Sequence, residues 1–205
     1  MFNAFKIVFL FLLLSFKVSA STKAAEDFFA QLISFSKLSQ ELSGKQSELS
    51  KKKLKEIQAQ IDFPRFSGLA LGSQKSKVSA SETKRFQALL EELIKLAAFP
   101  KARYVSAESE AITYKLLARG KVQVVGKVQR EKAGDLIVND FSIVLHMDPR
   151  NRIYDVEFEK ELLSANISRQ IKKNLEKKTF AQLLSLMEKR VSKLRAPKES
   201  AKKSS

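Results

Sequence analysis

His146 is the only histidine in this chain of 205 residues, and there is no cysteine and no tryptophan. One imidazole acts as a general base or a metal ligand only with carboxylates or further ligands placed beside it. Asp135, Asp140 and Asp155 lie on separate stretches, so they are not expected to converge on it. Asp155 alternates away from Tyr154 and Val156, which puts it on a wet face or in an ion pair with a basic helix. Without cysteine there is no thiol nucleophile, disulfide or zinc ribbon. No glycine-rich phosphate loop and no nucleophile elbow occur. The residue types favour binding over catalysis. Fifteen Phe supply apolar surface, and 38 Lys or Arg against 22 Asp or Glu leave a net charge of +16.

That charge is uneven. Residues 165–205 hold twelve Lys or Arg against three Glu. Such a field attracts anionic partners, unless the basic helix faces are simply solvated surface. The first twenty residues read as a signal peptide, with Lys6, the apolar run Ile7–Phe16 and the small residues Val18-Ser19-Ala20. An uncleaved anchor is the alternative reading of this stretch. No later apolar run is long enough to span a bilayer. Export makes anionic lipid headgroups or an acidic protein the expected partners, and nucleic acid is not expected.

The elements that must position a site follow from periodicity. Apolar residues at helical spacing predict helices over Ala24–Leu42, closed by Gly44, and over KKKLKEIQAQI, capped by Ser50. A short helix follows Asp62, with Pro64 in its first turn, Phe66, Leu69 and Ala70 on its buried side, and Gly72 at its end. The capping box Ser79-x-x-Glu82 opens a helix to about Ala98 that carries Phe86, Leu89, Leu90, Leu93 and Leu96. Ser164 caps a fifth helix, and Thr179-x-x-Gln182 opens a sixth. Between the fourth and fifth helices, residues 110–158 read as four strands: EAITYKLLARG, KVQVVGKVQR, DLIVNDFSIVLHM and NRIYDVEF. The first, second and fourth alternate apolar with polar residues, the fourth with Tyr154, Val156 and Phe158 on one face. The third is apolar on both faces and is expected at the centre. The short links predict an antiparallel meander. The class is α+β: one domain over residues 21–195, with a disordered basic tail over 196–205.

An apolar sheet face under amphipathic helices makes either a filled core or a ligand slot, and periodicity does not separate the two. In the slot reading, a basic rim suits an anionic amphiphile. In the filled reading, the chain is a basic envelope adaptor for an acidic partner.

Two stretches carry a family resemblance. One is Ile61-Asp62-Phe63-Pro64-Arg65-Phe66-Ser67-Gly68-Leu69-Ala70-Leu71-Gly72, followed by the Ser79 capping box and KRFQALLEELI. The other is Arg152-Ile153-Tyr154-Asp155-Val156, then a helix and FAQLLSLMEKRV. In this order, behind a signal peptide, they resemble the MlaC family of periplasmic phospholipid-transport auxiliaries. The resemblance implies a twisted four-stranded antiparallel meander wrapped by about six helices, cone-like, with an apolar slot for phospholipid tails. It implies a periplasmic monomer without catalysis or cofactor. Its cargo would be phospholipid, passed between an outer-membrane lipoprotein complex and the substrate-binding component of an inner-membrane ABC transporter. Phe66, Leu90, Ile112, Tyr114, Val124, Ile143, Tyr154 and Val156 would line the slot.

Overall fold

The computed structural model describes residues 22–38, 48–100, 112–118, 120–132 and 135–196. The proposed signal peptide, Gly44 and nearly all of the basic tail lie outside them.

Among the described residues, six helices and one antiparallel sheet form the fold. Residues 22–38 are helical (α1). They are followed by α2 (Glu48–Ala59), α3 (Phe63–Leu71), a 3-10 turn (Gly72–Lys77) and α4 (Ala80–Ala97). The strands are β1 (Thr113–Ala118), β2 (Lys121–Lys132), β3 (Asp135–Met147), β4 (Ile153–Phe158) and a short β5 (Glu161–Leu162), before α5 (Leu163–Leu175) and α6 (Phe180–Arg195). The spatial order β1-β2-β3-β4-β5 is the expected meander with one strand more, and β3 is central. The fifth strand is invisible to periodicity because it has only two residues. It closes a hairpin in which Phe158 pairs with Glu161, and the two turn residues Glu159 and Lys160 both have positive φ. That is the geometry of a type I′ turn, here without glycine.

Local chemistry explains most of the boundaries. Asp62 Oδ1 accepts from the Arg65 amide at 3.1 Å and caps α3, while Gly72 ends it at φ 52. Both reciprocal bonds of the capping box form at Ser79 and Glu82, and again at Thr179 and Gln182. Four expectations change. Ser50 lies inside α2 rather than before it, since Glu48 and Leu49 are already helical; the Glu48 carboxylate pairs with Lys51 Nζ at 2.7 Å. Leu69 is 43 % exposed, and Phe63, Phe66, Ser67, Ala70 and Leu71 form the buried side of α3. Ser164 is not the N-cap of α5: it lies in the first turn, buried, where its amide and hydroxyl both donate to the Asp155 carboxylate of β4. Asp155 thus has neither a wet face nor a basic partner; its charge meets donors at a helix start, which favours an anion.

Two apolar clusters result. One fills the space between the sheet and the first two helices, with Phe28, Phe29, Phe35 and Ile57 against Val122, Val124, Leu145, Met147 and Ile153. The other lies among the later helices, with Phe66, Leu71, Phe86, Leu90, Ile171 and Leu184. Ile94 touches both. The α2–α3 junction is strapped to the sheet by an Ile61–Ile153 bridge, with Asp62 N donating to Ile153 O and Ile153 N to Gln60 O, each at 2.8 Å.

A polar clamp locks that strap. Arg152 Nη2 donates to Asp62 Oδ2 at 2.8 Å and to Asp148 Oδ2 at 2.9 Å. Asp148 Oδ1 accepts the amides of Arg150 and Arg152. Burial opposes the Asp148 charge, but these two amides and the Arg152 guanidinium outweigh it and hold the carboxyl below its ordinary range. Arg152→Ala strands two carboxylates and should cost about 2–3 kcal/mol in urea unfolding at neutral pH. A lowered carboxyl stabilises the fold above its unfolded value and ceases to as pH falls through its folded value. The stability gap between the parent and Asp148→Asn should therefore shrink as pH drops below about 4.

Candidate functional site

The register of the sheet assigns its faces. Tyr114, Val124, Ile143 and Phe158 stand in one cross-strand row, and Leu116, Val122, Leu145 and Val156 in the next. Cross-strand partners share a face, so one face is apolar across four strands. Toward the end of the sheet away from the β1–β2 turn, the register carries this face on to Gly126 and Phe141.

Burial along this face is graded. Val122 and Val124 are fully enclosed and Leu145 is 1 % exposed, beneath the phenylalanines of α1 and Ile57 of α2. In the same row as Val124, Tyr114 and Ile143 are only half-buried, and so are Ile112 and Phe141 beside Gly126 one row on. Phe158 is 51 % exposed and Ile137 is 37 % exposed. An apolar surface therefore runs from a closed base to an open mouth. Gly126 shapes that mouth: a side chain there would meet the Phe141 ring at 2.8 Å and Ile112 at 3.3 Å. Its absence lets Phe141 lie flat across the strand.

Tyr114 stands where closed gives way to open. Its ring meets Phe29 edge-on at 6.2 Å between centroids. Burial, with a smaller effect from the Glu26 carboxylate, pushes its hydroxyl up to about 12. The phenol is thus a neutral polar tip on an apolar wall at any physiological pH.

The opposite face is mixed and partly wet, with Val125 and Val138 exposed on it beside polar residues. Lys121, Lys127 and Asp140 are exposed there, and Gln123 Nε2 donates to Ser142 Oγ at 3.0 Å. Around the end of β4 this face borders a groove of about 470 Å³ that Phe141 and Phe158 share with Gln123, Asp140 and Glu157. His146 is buried on the same side, 3.1 Å from Glu157 Oε2 and edge-on to Tyr154. Asp155 is its cross-strand neighbour, but that carboxylate is taken by Ser164 and the Val156 amide. Asp140 stands farther along β3 opposite Lys127. The three groups thus share no cavity. No cluster suited to a metal ion occurs among the described residues.

The residues picked out from the sequence divide three ways. Ile112, Tyr114, Val124, Ile143 and Val156 come together on the graded face. Phe66 and Leu90 lie in the cluster among the later helices, away from the sheet. Tyr154 leaves the apolar row because a bulge interrupts β4: Met147 pairs with Ile153 and His146 with Asp155, skipping Tyr154. The bulge brings Ile153 into the core and sets Tyr154 under the Arg65 guanidinium, 3.4 Å above its ring centre. Sequence reasoning missed Phe141, Phe158 and Ile137 as mouth residues, although Phe141 and Phe158 stood in the alternating pattern.

Comparison with known proteins follows this geometry. No curated protein matches the chain. Among solved structures, it is similar to a phospholipid-binding protein from Ralstonia solanacearum determined in complex with a phospholipid. The TM-score is 0.60 at 16 % identity, over 85 % of this chain and 98 % of that one. At that identity the likeness is one of fold: a sheet wrapped by helices in the same arrangement. The family model of the MlaC protein matches residues 26–189, a span that takes in α1, the graded face and nearly all of the helical cluster. The chain belongs to the MlaC family.

Proposed function

We infer that this protein is a phospholipid carrier that holds acyl chain on the graded face of its sheet and leaves the headgroup at the open mouth. The observation that carries this reading is the burial gradient, from Val124 at 0 % exposure to Phe158 at 51 % in the same cross-strand row. An apolar face that continues from a closed core out to solvent offers surface that a ligand can cover. Acyl chain covering that surface gains about 0.8 kcal/mol for each CH₂ removed from water. The Ralstonia solanacearum protein of the same fold, bound to a phospholipid, supports the ligand class.

Ile112, Tyr114, Val124, Ile143 and Val156 form the wall in this proposal, joined by Phe141, Phe158 and Ile137 at the mouth. Phe66 and Leu90 hold the helical layer together instead. The basic N-terminal stretch with its apolar run supports export to the periplasm. Transfer between an outer-membrane complex and an inner-membrane ABC transporter is the family role we propose for it. Binding without catalysis or a cofactor is part of the same proposal.

Mature protein purified from bacteria and extracted with organic solvent should yield roughly one phospholipid per chain in mass spectrometry. Consistently empty protein would reject the carrier and favour an adaptor with a filled core. Ile143→Glu places a carboxylate against the acyl chain and should weaken loading by at least about tenfold. Gly126→Val should also reduce loading, by driving Phe141 and Ile112 into the mouth. Helical circular dichroism should be retained in both. Normal loading in both would remove these residues from the site.

A further inference from the structure

Three flanks of α6 have different neighbours. Leu183, Leu184 and Val191 are buried. Glu188 and Arg195 reach α4, where they pair with Arg85 at 2.7 Å and Glu92 at 2.6 Å. The third flank repeats at helical spacing through Gln182, Leu186, Lys189, Arg190 and Lys193, all exposed. None of its three cations forms an ion pair with another described residue. On α5 and the turn after it, Lys172, Lys173 and Lys177 are exposed as well. Residues 163–196 together hold nine Lys or Arg against two Glu.

We propose that this flank of α6, with the lysines of α5, docks the protein onto the surface of an anionic lipid bilayer. Like charges along one exposed helix flank repel one another, and an anionic surface relieves that repulsion. Five of the six exposed cations are lysines. Lysine is a flexible point charge that suits mobile headgroups, whereas a structured acidic protein favours the fixed fork of arginine. Leu186 stands 42 % exposed within the stripe and packs into neither cluster. An apolar side chain amid cations is the arrangement that enters a bilayer interface. The proposal concerns the outer surface and does not depend on what the sheet holds.

Co-sedimentation with vesicles tests it. The mature protein should bind phosphatidylcholine vesicles that contain phosphatidylglycerol, not phosphatidylcholine alone, and should release as salt screens the charges. Each cation is worth about fivefold near such a surface, so Lys189→Gln, Arg190→Gln and Lys193→Gln together should lower partitioning on the order of a hundredfold. Leu186→Ser should lower it further by a smaller factor. Phospholipid extracted per chain should be unchanged in these variants, which separates this outcome from failure of the carrier reading. Absence of binding to anionic vesicles overturns the proposal, and so does full binding by the triple variant. Retention on polyglutamate resin with vesicles refused would assign the flank to an acidic protein and likewise overturn it.

Discussion

A sheet with one apolar face needs a cover for that face, and here the cover is incomplete. The phenylalanines of α1 and Ile57 of α2 close the rows around Val122, Val124 and Leu145. Beyond them β2 and β3 continue, and the apolar face continues with them to Phe141, past which Asn139 interrupts it before Ile137. Removing such surface from water is the largest favourable term available to a fold without disulfides. Leaving part of it open is therefore a cost that a ligand can offset. The base of the face secures the fold, and its outer rows supply the proposed binding surface.

The second cluster makes that division workable. The helices α3, α4, α5 and α6 pack on one another around Phe86 and Leu184, and they meet the first cluster at Ile94. Phe66 and Leu90 contribute to this layer and not to the wall. Three polar connections tie the layer to the sheet: the Ile61–Ile153 strap, the Arg152 clamp on Asp62 and Asp148, and the Asp155–Ser164 contact. All three act on β4 or the residues that lead into it. The remaining strands are free to present their apolar face.

Most of the architecture was legible because periodicity and capping chemistry are local. The two capping boxes, the Asp62 cap, the meander and the central place of β3 all follow from spacing within a few residues. What was not legible depends on register between distant segments. Tyr154 looked like a wall residue until the bulge against His146 and Met147 displaced it. Ser164 looked like a cap until Asp155, nine residues earlier, claimed both of its donors. Phe66 and Leu90 were read correctly as buried, but helical periodicity gives the face that is buried and not the layer it is buried against. The open mouth was hidden for a similar reason. Phe158 alternates like any core residue, yet it ends β4 and is 51 % exposed.

The central claim is that the half-buried rows of the sheet, rather than the helical cluster, take the acyl chain. A crystal structure of protein purified with its natural content would decide it. The account predicts elongated density running along Tyr114, Ile143 and Phe158, with a polar end emerging beside Phe141. Side chains closing over these rows with no such density, or a lipid lodged among Phe66, Phe86 and Leu90, would contradict it.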